Sequence, residues 1–164
     1  MKKLGFAVNP SSVISWGKVV LNMTIQMIRN KTVQPIFFSP PTNLSVNPLE
    51  AAILNSCYQE NKKINFPVLH GINEAFTIPQ QFQKFSGKKN IAKLTFENTQ
   101  FPKDIKKKAT KFDFIFTPSK WNHQLMLNQG INNTLIYEGV DPHIYHPAPK
   151  LGYLNNRFVI FSGG

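Results

Sequence analysis

Polar side chains able to engage a ligand recur in this chain directly after short apolar runs. Asn9, Ser11 and Ser12 follow the run at residues 2–8, with Gly17 just behind them, and His70 follows 64–69. Glu97 comes after 90–96, Ser119 and Lys120 after 112–117, Glu138, Gly139 and Asp141 after 134–137, and Ser162-Gly163-Gly164 after 158–161. A histidine so placed can hydrogen-bond a substrate hydroxyl or shuttle a proton near neutral pH; it can equally be a structural histidine satisfied by backbone. Glu97 can accept hydrogen bonds from ligand hydroxyls, or instead cap the following helix or pair with a lysine. A Ser-Gly-Gly turn leaving a strand is suited to bringing backbone N–H groups to a phosphate, provided that it opens a helix.

These residues need a scaffold, and the most legible part of it is residues 112–147, FDFIFTPSKWNHQLMLNQGINNTLIYEGVDPHIYHP. Residues 112–117 are too short and too continuously apolar for a helix and suit a strand buried on both faces. Ser119 can cap a helix that places Trp121, Leu125 and Met126 on or near one face and stops at Gly130, and residues 134–137 form a second buried strand. Strand, helix and strand within some thirty residues make a right-handed βαβ crossover with parallel strands. The carboxyl edge of such a sheet is where ligands bind.

Upstream, the same reading predicts strands at 2–8, 33–38, 64–69 and 90–96. Pro35 places the second towards a sheet edge, and Pro67 lies inside the third. Helices are predicted at 17–28, with Val20, Met23 and Met27 inward, and at 48–60, where Asn47, Pro48 and Glu50 mark the start. Residues 71–89 have no clear period and are expected to form a loop with a short helix over the cleft.

The 164 residues suffice for one domain with a real core, and the 41% apolar content is that of a globular chain. No apolar run nears the ~20 residues of a membrane span, and the start is too short in apolar residues for a signal peptide. The single cysteine, Cys57, is expected to be buried and inert, and suits the cytosol. The net charge of +11 invites a polyanion. Lys103, Lys106, Lys107, Lys108 and Lys111 could lie on an anionic membrane or attract phosphates, or simply form a solvated helix face. Nucleic-acid reading is disfavoured, since arginine occurs only at Arg29 and Arg157. A nicotinamide dehydrogenase is disfavoured too, because the first strand–helix turn lacks the three glycines of a dinucleotide fingerprint.

The stretch at 112–147 resembles the end of the first domain of GT-B glycosyltransferases, in particular the retaining group 1 (family 4) enzymes. The resemblance rests on Pro118, Ser119, Trp121, Gly130, Ile131, Gly139, Val140, Asp141 and Pro147, with Tyr145 where phenylalanine is usual, and on Phe96, Glu97, Thr99 and Pro102 upstream. It implies an α/β fold, a Rossmann-like open parallel sheet with helices on both faces, as the first half of a two-domain architecture. Residues 1–147 would be the acceptor-side domain, 148–157 a linker, and 158–164 the truncated first strand of the donor-binding domain. The implied reaction moves a sugar from a nucleotide-sugar donor to a hydroxyl of a glycan or lipid, without metal or other cofactor, in the cytoplasm or on the inner face of the membrane. His70 would be catalytic; Asn9, Ser11, Ser12, Gly17, Glu97, Ser119 and Lys120 would line the acceptor side, and Ser162, Gly163 and Gly164 would touch the donor. The other reading is a non-catalytic basic module that docks on an anionic membrane surface or another polyanion.

Overall fold

The computed structural model describes residues 2–60, 63–140, 142, 146 and 147. In chain order the elements are β1 (Lys2–Ala7), α1 (Ser15–Arg29), β2 (Val33–Phe37), α2 (Pro48–Ser56), β3 (Val68–Ile72), a 3-10 turn (Gln80–Phe82), β4 (Asn90–Leu94), α3 (Ile105–Ala109), β5 (Phe114–Thr117), α4 (Lys120–Asn128) and β6 (Thr134–Leu135). The six strands form one sheet in the order β2-β1-β3-β4-β5-β6, and every pairing is parallel. This is the α/β, Rossmann-like open sheet that the sequence predicts.

Strand alternation divides the core into layers. Phe6, Val8, Leu69 and Phe116 point to one face and pack with Val20 and Leu21 of α1 and Leu54 of α2. Ile72, Ala92, Leu94 and Ile115 point to the other face, towards Ile105 and Ala109 of α3 and Met126 of α4. The crossovers therefore change face between β1 and β3, which makes that pair the topological switch point, where open sheets part to form a crevice at their carboxyl ends.

Local chemistry sets the element ends. The Asn47 side chain accepts from the Glu50 amide at 2.9 Å with Pro48 as first helical residue, and the Ser119 hydroxyl accepts from the Asn122 amide at 3.1 Å. Gly130, at φ +69°, ends the turn after α4. β2 is an edge strand, as Pro35 requires, and its outer side meets the main chain of Cys57 and Gln59 through Phe37. Cys57 is buried, and burial raises its thiol above the ordinary value.

Several boundaries move. The second helix ends at Ser56 rather than near residue 60. β3 starts after Pro67, which has no N–H for a ladder, and runs on to Ile72 in register with β4, so His70 lies inside the strand and not beyond it. Met23 and Met27 are only partly buried, while Val20, Leu21 and Thr24 form the inner stripe of α1. Residues 71–89 do contain a short helical turn, but Phe82 packs against Ala7 and Val68 on the sheet face instead of over the carboxyl edge. β6 is an outer strand, so Ile136 and Tyr137 are exposed rather than core.

Candidate functional site at the carboxyl edge

The loop after β1 folds back over the first turn of α1. A Cβ at Gly17 would lie 2.5 Å from the Ser11 amide nitrogen and 2.6 Å from the Asn9 carbonyl oxygen, so only glycine lets loop and helix approach this closely. The Pro10 carbonyl accepts from the Thr42 amide at 2.9 Å, and the Ser12 hydroxyl accepts from the Ser45 amide at 3.0 Å. Ser11 is wholly buried, with its hydroxyl towards the Val13 amide. Gly17, Ser11 and Ser12 thus build the edge, whereas Asn9 stays partly open and α1 has no side-chain N-cap.

On the far side of the switch point, the loop after β4 is tied to α4. The Asn122 side chain donates to the Phe96 carbonyl at 3.0 Å, and Phe96 packs against Phe101 and Trp121. Asn98 donates to Glu74 at 3.2 Å and so joins the loops after β3 and β4. Held between Phe96 and Asn98, Glu97 is exposed and makes no ion pair among the described residues; the N-cap position of α3 is Asp104, so Glu97 does not cap it. Ser119 is committed to capping α4, and Lys120 beside it is exposed.

His70 is elsewhere. Its side chain is 1% exposed, with Nε2 3.2 Å from the Asn90 side-chain oxygen and its ring edge-on to Phe112 at 5.8 Å. Asn90 opens β4 and Phe112 precedes β5, so the imidazole leans towards the amino edge of the sheet. Burial lowers its pKa below 6.5, against a smaller opposing effect of the Asn90 hydrogen bond. The predicted place of His70 just past the end of its strand is therefore corrected to one inside β3, with the ring in the core. The reason is the strand boundary: a side chain inside β3 packs under the next layer, where one just past its end would face the ligand.

The residue that sequence reasoning passed over is Lys93. It is 3% exposed, pairs in register with Gly71 and Phe116, and turns to the α1 face. Its ammonium lies 4.0 Å from the centroid of the Trp16 ring, 3.5 Å from the Thr95 hydroxyl, and in an ion pair with Glu138. Gly71 makes room for the indole, since a Cβ there would sit 3.0 Å from it. The available signal was a lysine alternating with apolar residues in a buried run, Ile91-Ala92-Lys93-Leu94. Lys93 and Trp16 thereby bridge the two groups of loops, joining α1 and its glycine to the exit of β4.

Ser162, Gly163, Gly164 and the predicted linker lie outside the described residues, as does Asp141. A Cβ at Gly139 would meet nothing within 4 Å. In the basic segment, α3 buries Ile105 and Ala109 and leaves Lys106 and Lys107 exposed, while Lys108 pairs with Asp104 at 3.2 Å. A cavity of about 480 Å³ opens at the opposite, amino edge, lined by Lys106, Asp113, Gly130 and Asn132 among others, and contains none of the predicted site residues. Among the described residues no helix is long and apolar enough to cross a membrane, and no three His, Cys, Asp or Glu side chains converge to hold a metal ion. Comparison with protein-family models, curated proteins and solved structures found no match.

Proposed function

We propose that this chain forms the acceptor-side half of a retaining GT-B glycosyltransferase, in which a sugar passes from a nucleotide-sugar donor to a hydroxyl of a glycan or lipid. The observation that supports this reading most is how the residues of the resemblance are used. Ser119 caps α4, Gly130 ends it in the left-handed region, and Gly139 and Val140 follow β6, so the shared pattern coincides with the turns of one βαβ unit on a parallel sheet.

On this reading the acceptor approaches the carboxyl edge, where Glu97 and Lys120 are exposed on loops tied together through Asn122 and Phe96. The Glu97 carboxylate accepts hydrogen bonds from acceptor hydroxyls, and Asn9 borders the other side of the crevice. Catalysis in such a site is chiefly positioning of the hydroxyl and stabilisation of the leaving diphosphate, and the latter falls to the donor-binding half. His70 acts only through the packing of β3 against β4.

Amide shift mapping of the labelled chain with simple glycosides and nucleotide sugars tests the assignment. Glycoside-induced shifts are expected at Asn9, Glu97, Asn98 and Lys120, with no sugar transfer by the chain alone. Shifts confined to the amino edge, or robust turnover by the purified chain, would overturn it.

A further inference from the structure

Lys93 carries a charge that the fold only partly satisfies from within. An ammonium taken out of water is strongly destabilising unless it is closely partnered. The Thr95 hydroxyl at 3.5 Å is a weak acceptor, and the Trp16 face offers attraction but no lone pair. Among the described residues the one full counter-charge is Glu138.

The two ends of this ion pair are held very differently. Lys93 belongs to an inner strand and is fixed by packing. Glu138 lies beyond the last β6 ladder bond, from the Ile136 amide to the Thr117 carbonyl, with its side chain 45% exposed. Its neighbours Tyr137, Gly139 and Val140 are exposed as well. A rigid buried cation thus faces a carboxylate that reaches it from the solvent side, at the edge where ligands enter open sheets.

We infer that Trp16, Lys93 and Thr95 form a binding site for a ligand oxyanion, a carboxylate or phosphate ester, and that the Glu138 carboxylate occupies this site until the ligand displaces it. The indole face and the hydroxyl orient the ammonium, and the incoming oxyanion takes over the ion pair while Glu138 swings to water. The inference does not rest on sugar transfer, and its test reads anion binding alone.

The experiment is calorimetric and thermal-shift titration of the whole chain with inorganic phosphate, glucose 1-phosphate and uridine diphosphate, at ionic strength held constant with chloride. Removing the internal competitor in Glu138→Gln is expected to tighten binding of at least one of the three by about tenfold. The double variant Lys93→Met with Glu138→Gln removes both charges together, which buried pairs tolerate better than loss of one, and is expected to fold without saturable binding. Which probe saturates tells a free phosphate from a sugar phosphate or a nucleotide, and any of them supports the site if the response requires Lys93. No saturable binding to Glu138→Gln, or binding that survives in the double variant, would overturn the inference and leave Glu138 a structural latch.

Discussion

The Lys93 ammonium lies 4.0 Å from the centre of the Trp16 ring, although β3 separates β4 from β1, the strand that leads into α1. This contact spans the switch point of the sheet and ties the first helix to the strand that carries Glu97. Replacing Trp16 by Leu keeps an apolar side chain but removes the π face from a desolvated cation, and should cost about 2 kcal/mol. Urea unfolding of both proteins measures it; an unchanged midpoint would mean that the indole face adds nothing to what an aliphatic side chain supplies there.

Gly17→Ala puts a methyl group into the backbone of residues 9–11, which has no flexible end to give way. The loop or the helix has to move, at about 2–3 kcal/mol by the usual cost of overpacking. A drop in melting temperature accompanied by amide shifts at Asn9 and Ser11 is the expected signature. A drop without shifts in that loop would place the strain elsewhere.

Burial holds the His70 pKa below its ordinary 6.5. The unfolded chain therefore takes up this proton before the folded chain does, so stability is full above pH 6.5 and declines as pH falls below it, levelling off below the folded value. His70→Leu should flatten that decline. Urea midpoints across this range compare the two, and parallel curves would show that His70 does not set the acid limb.

Ser119→Ala removes the acceptor for the Asn122 amide and should cost about 1 kcal/mol, as lost N-caps do. Ser119→Asp should recover most of it, because an aspartate can cap the same amide. If Asp fails where Ser succeeds, the hydroxyl has a role other than capping, and binding of glycosides is the measurement to repeat on both variants.

Glu97→Gln separates function from fold. The side chain is exposed and unpaired among the described residues, so stability should stay within about 0.5 kcal/mol of the original. Glycoside binding should weaken markedly if the carboxylate accepts hydroxyl hydrogen bonds. Equal binding by both proteins would remove Glu97 from the site.

The sequence by itself determined the class of fold and most of its punctuation. Apolar runs alternating with helical segments allow only a parallel α/β sheet, and Asn47 with Pro48, Ser119 and Gly130 act on amides and dihedrals within three or four residues of themselves. Pro35 announced an edge strand for an equally local reason, the N–H that it lacks. Tertiary structure alone decided what each chemically able side chain meets. His70 is in the core because β3 continues to Ile72 beside β4, and a shift of a few residues along a strand changes which layer a side chain enters. Lys93 acquired its partners from positions 16 and 138, far apart in sequence, through a strand order that no local pattern encodes.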